Sequence, residues 1–240
     1  MRISRDIQII KLDSVPSTNT YAKTLANEGK DVFIIARKQP QGRGTKGRSF
    51  CSNEGGVYAT LLHFPQNAKA SELPRYMQNT AVAVCKTLER FSLSPKIKWP
   101  NDIWVNGKKI CGILIENTLS SNAVERVIIG IGINVKNELP QELQALATTV
   151  CEQTKTDISP EQVWGELLLQ LQNPDLHSEY ESYLALVGEQ VQICFIDGEE
   201  RTQTAVLLGV DGQGRLLAGI NGQTHAFSSA EISVRREKDK

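Results

Sequence analysis

Lys98-Trp99-Pro100-Asn101-Asp102-Ile103-Trp104-Val105-Asn106-Gly107-Lys108-Lys109-Ile110-Cys111-Gly112-Ile113-Leu114-Ile115-Glu116 decides the fold class. Ile97 to Pro100 and Ile103 to Val105 read as short strands around a Pro-Asn-Asp break. Proline restricts the residue before it to extended geometry and interrupts a ladder. Asn106-Gly107 is the preferred pair for a tight type I′ hairpin turn. Ile110 to Glu116 returns as a strand, and Val124 to Asn134 reads as the next one. Hairpins here, with helices on both sides, predict an α+β fold on a mixed or largely antiparallel sheet.

Upstream, Ile7 to Leu12 is a short strand, followed by the turn and N-cap cluster Ser14-Val15-Pro16-Ser17-Thr18-Asn19. Tyr21, Ala22 and Leu25 lie three or four apart on a helix ending near Gly29. Val32 to Ala36 and Val57 to Phe64 are strands, and a helix runs from about Glu72 to Phe91. Downstream, two helices are expected near Pro160–Leu171 and Asp175–Val187. From Glu189 the pattern changes to short alternating strands punctuated by Asp197-Gly198, Asp211-Gly212, Gln213-Gly214 and Asn221-Gly222. That spacing predicts a small β-barrel or sandwich. The expected division is residues 1–187 and 188–240.

The chain has 240 residues, enough for one substantial core and a small appended module. Lys plus Arg and Asp plus Glu each total 27, so no global field favours nucleic acid or an anionic membrane. The five cysteines are scattered without a C-x-x-C pair, which disfavours a disulfide framework or structural zinc and fits a reducing compartment. The N-terminus lacks the apolar run of a signal peptide, and no segment approaches a membrane span. A cytoplasmic location is expected.

Gly42-Arg43-Gly44-Thr45-Lys46-Gly47-Arg48-Ser49 nearly matches a P-loop, with Arg48 where the phosphate lysine belongs. A P-loop also needs a helix starting directly after it, and Phe50 to Gly56 is not a helix former. What remains is glycine interleaved with Arg43, Lys46 and Arg48, suited to wrapping an anion. It equally suits a solvated basic loop. Farther on, Asn101 and Asp102 sit at the strand break and Lys109 begins an apolar strand. Gly112, Gly130 and Gly132 fall inside strands, where glycine is costly unless something must approach the backbone. Singly, these residues also read as a turn cap, a solvated hairpin lysine and bulges. Together with the basic loop they predict one site for a carboxylate and a nucleotide.

In this order and spacing the motifs resemble the biotin–protein ligase family over most of the chain. The set is Ser17-Thr18-Asn19, the Gly42–Arg48 loop, Lys98–Asp102, Lys109–Leu114 and Gly130–Asn134. Leu139–Leu143 with Ala147-Thr148-Thr149, and the closing Glu231–Arg235, are similar to later family segments. The resemblance implies a catalytic domain related to class II aminoacyl-tRNA synthetases with an SH3-like C-terminal barrel. It implies ATP-dependent conversion of biotin to biotinyl-5′-AMP, with Mg²⁺, and transfer to a lysine of a biotin carboxyl carrier domain.

By position, the resemblance places Ser17, Thr18, Asn19 and Gln39 on the ureido head of biotin. Gly42, Arg43, Gly44 and Thr45 belong to the loop closing over biotin and phosphate, and Gly112 and Gly132 also fall in the biotin set. Lys109 would meet the biotin carboxylate and then the adenylate phosphate. Arg43, Lys46, Arg48, Phe50, Asn101, Lys109, Asn134 and Arg235 form the nucleotide set. Lys109, Asp102 and Arg43 are the catalytic candidates, and no residue is assigned as a dedicated metal ligand. Asp102 is expected to orient the acceptor amine or take its proton, with metal binding as its alternative. Two positions depart from the family pattern: several members carry arginine at Thr45, where Lys46 can supply the charge, and many carry tryptophan at Phe50. Too few residues precede Ser17 for the helix-turn-helix domain of some members, so a stand-alone form without a DNA-binding role is expected. Some members pair through their central sheets, which keeps a homodimer open. Rival readings are a lipoate ligase or octanoyltransferase of the same fold, and a catalytically silent biotin-binding regulator.

Overall fold

The structure, a computed structural model, describes residues 3–4, 6–25, 29–196, 201–229 and 232–236, with Lys46 and Arg236 described by backbone alone. Seven strands form the first sheet. They are β1 (Gln8–Ser14), β2 (Val32–Lys38), β3 (Val57–His63), β4 (Pro95–Lys98), β5 (Asp102–Val105), β6 (Lys108–Ser120) and β7 (Ala123–Ile133). Their order is β1-β2-β3-β7-β6-β5-β4. Only β1 and β2 run parallel, joined by the crossover helix α1 (Thr18–Thr24), and the other neighbours are antiparallel. The mixed sheet expected from the hairpins is therefore present. Asn106 and Gly107 form the two-residue turn between β5 and β6 with φ of 50° and 78°, as a type I′ turn requires.

Strand register sorts the side chains onto two faces. On one, Ile129, Ile131 and Ile133 of β7 align with Phe33, Ile35, Val57, Ala59, Leu61, Cys111 and Ile113 in the main core. Helices α2 (Leu73–Glu89) and α4 (Pro160–Leu171) pack on this face. Ser159 and Gln162 close a capping box at the start of α4, with Pro160 as its first residue. On the other face, Val32, Ile34, Leu62 and Ile128 pack under Ala22 of α1. Farther along that face the register positions are Thr60, Gly130, Gly132 and Gly112. Tyr58 and Leu114 share those rows, and glycine takes three of the positions.

Helical expectations change in three places. Helix α1 ends at Thr24, where Leu25 turns extended, short of the end expected near Gly29. Val150–Thr154 is a short helix, α3, capped by the Thr149 hydroxyl on the Glu152 N–H, and the sequence periodicity did not reveal it. The helix expected over Asp175–Val187 is instead a 3-10 turn (Leu176–Glu179) and one helical turn, α5 (Tyr180–Tyr183). Sheet pairing explains the stop. Leu184 makes a parallel bridge with Ile97, and the Ala185 N–H donates to the Ile97 carbonyl at 2.9 Å. The chain leaves the helix to cover the β4 edge, which would otherwise present unpaired backbone groups.

The second sheet contains β8 (Gln190–Phe195), β9 (Thr202–Val210), β10 (Leu216–Ile220), β11 (Gln223–Phe227) and β12 (Ile232–Arg236), in the antiparallel order β11-β10-β9-β8-β12. Phe195 of β8 and Phe227 of β11 are not on neighbouring strands, yet their ring centroids lie 6.1 Å apart. The sheet curls on itself, in the manner of a small SH3-like barrel. Asn221-Gly222 forms the β10–β11 turn, whereas Asp197-Gly198 and Glu231 lie outside the described residues. Among the described residues no helix is long and apolar enough to cross a membrane.

Ile129, fully buried at the centre of the first sheet, sets a test of this layering. Ile129→Ala is expected to lower unfolding free energy by about 2–5 kcal/mol, read from the denaturant midpoint at constant slope. A loss below about 1 kcal/mol would contradict its place in the core.

Candidate active site

The site is built on the face of the first sheet that carries Gly112, Gly130 and Gly132. A Cβ on Gly132 would lie 2.6 Å from the Phe50 ring, and one on Gly130 would collide with the Asn19 carboxamide. Glycine is needed at both because the chain's own side chains press onto the strand backbone. The sequence-level reason for glycine was close approach, and here the approaching groups are Phe50 and Asn19.

The Gly130 row carries a buried polar network. Thr60, fully buried in β3, donates its hydroxyl within hydrogen-bond range of Thr18 Oγ1 and Asn19 Oδ1, each at 2.7 Å. Gln39 Oε1 accepts from the Thr18 N–H at 2.7 Å and from the Thr18 hydroxyl at 2.9 Å, while Gln39 Nε2 donates to Ser52 Oγ at 3.0 Å. Asn19 Nδ2 donates to Glu116 at 2.9 Å, and Glu116 also pairs with Lys23 at 2.5 Å. Burial raises the Glu116 pKa, but the Lys23 and Asn19 hydrogen bonds and the charges of Lys23 and Arg43 more than offset it, so the carboxyl sits below its ordinary value. Ser17 Oγ accepts the Thr20 N–H as the N-cap of α1, which leaves its own proton to donate elsewhere. Buried polar groups persist when partnered, and these hold one another in place beside a cavity.

The neighbouring row carries charge. Gly132, Gly112 and Asp102 stand in register across β7, β6 and β5. Lys109 Nζ approaches Asp102 Oδ1 at 2.7 Å and lies 5.8 Å from the Phe50 ring centroid. Rows two residues apart are separated by roughly 7 Å along the strand. A neutral polar corner and an ion pair thus share one floor at a spacing of a few bonds.

The basic loop closes the third side as a small hairpin. Gln39 N–H donates to the Ser52 carbonyl, Phe50 N–H to Gly42, and Gly44 N–H to Arg48, at 3.0, 2.9 and 2.7 Å. Thr45, one of the departures from the family pattern, accepts from Arg48 through its carbonyl and its hydroxyl at 3.3 and 3.1 Å. No helix follows Ser49, so the loop is not a P-loop.

These walls enclose a cavity of about 320 Å³, within the size range of small-molecule sites. Ser17, Thr18, Asn19, Gln39, Arg43, Gly44, Thr45, Arg48, Phe50, Asn101, Asp102, Lys109, Gly112, Gly132 and Asn134 all line it. Gly42 stands behind the lining, bonded to Gln39 and Phe50. Arg235 is exposed on β12 and outside the lining, and the Lys46 side chain lies outside the described residues. The lining includes three described cations, Arg43, Arg48 and Lys109, against one carboxylate, Asp102. The arrangement suits a ligand with a neutral hydrogen-bonding head and anionic groups beyond it.

Sequence reasoning missed Thr60 and Glu116, whose signal was a polar residue at an alternate position of an apolar strand. It also gave no site role to Leu139, Leu143, Leu146 and Ala147, which form an apolar wall of the cavity. Leu146 leaves 67% of its surface exposed beside the opening. Such a wall suits a flat ring system.

The Biotin/lipoate A/B protein ligase family model matches residues 12–134. The bifunctional ligase/repressor BirA of Bacillus subtilis is 32% identical over 243 residues, covering 94% of this chain and 74% of that protein. The biotin–[acetyl-CoA-carboxylase] ligase of Mycobacterium tuberculosis is 26% identical, covering 90% of this chain and 85% of its own. Among solved structures, the biotin protein ligase from Aquifex aeolicus in complex with biotin and ATP superposes with a TM-score of 0.80 at 29% identity, over 96% of this chain and 99% of that one.

Gly132→Ala tests the glycine floor. Its methyl would displace Phe50, so proteolysis between Arg43 and Arg48 is expected to accelerate about tenfold at an unchanged thermal midpoint. Unchanged cleavage would show that Phe50 does not hold the loop.

Proposed function

The chain belongs to the biotin/lipoate A/B protein ligase family, and from that premise we infer that it joins biotin to ATP as biotinyl-5′-AMP and then passes the biotinyl group to a protein lysine. The activity is that of a biotin–protein ligase. The observation that carries it is the shared floor, with a neutral polar corner on one row and the Lys109–Asp102 pair on the next.

Biotin has a ureido ring at one end and a carboxylate at the other. In our reading the ureido group is held by Ser17, Thr18, Asn19 and Gln39, and the carboxylate reaches Lys109. A simple fatty acid has no group to repay opening that polar corner, and an unmatched buried polar group costs about 1–3 kcal/mol. This favours biotin over lipoate or octanoate. Arg43 and Arg48 are assigned to the phosphates. The leucine wall and Asn134 are assigned to the adenosine.

A carboxylate must become a mixed anhydride before an amine can displace its oxygen. A biotin carboxylate oxygen attacks the α-phosphorus, the bond to the bridging oxygen breaks, and pyrophosphate leaves. Two anions approach in this step, so Lys109 and the arginines act by neutralising charge that would otherwise repel. Among the described residues no group of three His, Cys, Asp or Glu gathers as a metal cage. The substrate's phosphate oxygens would be the main donors to Mg²⁺, which accepts one or two carboxylates plus substrate phosphates, and Asp102 would join them only as the alternative to its role toward the acceptor amine. When bound it supplies charge neutralisation at the phosphates.

In the second step the acceptor amine attacks the acyl carbon, AMP leaves, and a proton must depart from nitrogen. Only about one free lysine in a few thousand is uncharged at neutral pH. Asp102, beside Lys109 and in the lining, is assigned to orient that amine or take its proton. The hairpin loop shields the anhydride from water. The acceptor is proposed to be a biotin carboxyl carrier domain of a carboxylase.

Lys109→Ala is expected to slow biotin-dependent exchange of pyrophosphate into ATP by about 10²–10³-fold. Near-normal exchange in the folded variant would remove Lys109 from the chemistry. Asp102→Asn is expected to impair transfer from preformed biotinyl-adenylate to a carrier domain, measured by mass spectrometry. Unimpaired transfer would exclude the base role.

A further inference from the structure

Three residues, Trp99, Pro100 and Asn101, form the tip between β4 and β5, because Lys98 pairs with Asp102. This tip delivers Asn101 and Asp102 into the cavity lining. One side of it is pinned to β6. The Asn101 carbonyl accepts the Ile113 N–H, and Asn101 Nδ2 donates to the Ile113 carbonyl, both at 2.9 Å. The other side is pinned by a residue far away in sequence. Trp99 is 5% exposed, and its indole Nε1–H donates to the Gly214 carbonyl at 3.0 Å, across 115 positions.

Gly214 belongs to the turn between β9 and β10 in the second sheet. That turn is braced from within. Asp211 N–H donates to the Arg215 carbonyl and Gly214 N–H to the Asp211 carbonyl, both at 2.9 Å. The Asp211 carboxylate accepts from the Gln213 and Arg215 amides and from Arg215 Nε, at 2.9, 2.9 and 2.7 Å. Gly214 has φ of +74°, and a Cβ there would stand 3.0 Å from Cβ of Pro74 at the start of α2. Only glycine combines that backbone conformation with so close an approach. The turn is wedged against α2 with one carbonyl directed to Trp99.

We propose that Trp99 and Gly214 are positioning residues for the reaction: the Asp211–Arg215 turn tethers the Trp99–Asp102 tip and thereby sets Asp102 against Lys109. The second sheet acts on the chemistry through this hydrogen bond without touching substrate. The polar corner at Thr18, Asn19 and Gln39 is attached through Thr60 of β3, Ser52, and Glu116 farther along β6, none of which the tether contacts. This rests on the ligase activity assigned above.

The test compares Trp99→Phe, which keeps an aromatic ring and removes the donor, with Gly214→Ala, which shifts the acceptor from the opposite side. In each, kcat for biotin-dependent pyrophosphate exchange is expected to fall about three- to tenfold, the span set by one hydrogen bond, with KM for biotin within about twofold. The double variant is expected to be no slower than the slower single, because both changes break one interaction. Amide hydrogen exchange at Ile113 is expected to quicken in both, while Ile131 keeps its wild-type rate. Additive losses, a biotin KM that rises in place of a falling kcat, or an unchanged Ile113 amide in the folded variants would overturn the proposal. Gly214→Ala alters a turn outside the first sheet and leaves the Trp99 ring in the core, so it reads the tether even where Trp99→Phe fails to fold. An inactive wild-type chain would count against the activity, whereas the Ile113 amide reports on the tether by itself.

Discussion

Gly112, Gly130 and Gly132 face the same side of adjoining strands, and the room above their backbones organises the site. Strand alternation makes this a strict constraint. Their neighbours along the strands, Ile113, Ile129, Ile131 and Ile133, fill the main core on the other side. Moving the register by one residue would bury the glycines and empty the core. The same pairing that stabilises the sheet therefore clears a floor for Asn19 and Phe50, and spaces the polar corner from the ion pair.

Charge placement follows from that floor. The chain as a whole carries no formal net charge, so attraction for an anionic substrate has to be local. Two unit anions about 4 Å apart repel by about 4 kcal/mol at an effective dielectric of 20. That repulsion is comparable to several ordinary hydrogen bonds, and one surface cation cannot remove it. Arg43, Arg48 and Lys109 converge on the cavity from the loop and from β6, opposed among the lining side chains only by Asp102. Asp102 pairs with Lys109 at 2.7 Å and balances its charge.

Much of this was legible in the residues. Asn106-Gly107 named its own turn, the Ser14–Asn19 cluster the start of a helix, and the alternating runs their strands, because each is a local preference with a short-range cause. The combination of Lys109, Asp102 and the basic loop into one site came from motif order and is present in space. What stayed hidden depends on contacts distant in sequence. The helix after Asp175 was cut short because Leu184 finds Ile97 at a sheet edge, and no local preference announces that partner. Thr60 and Glu116 belong to the network only through strand register. The bond from Trp99 to Gly214 joins two modules that the sequence describes separately.

These features describe a scaffold that presents charge and polarity at fixed separation beside a basic hairpin loop. The central claim is that the site joins two bound anions into one molecule. It is tested most directly by incubating the full chain with biotin, ATP and Mg²⁺ in the absence of any acceptor, then identifying the bound small molecule by mass spectrometry. The account predicts stoichiometric biotinyl-5′-AMP with release of pyrophosphate. Recovery of biotin and ATP bound together but unjoined would contradict it.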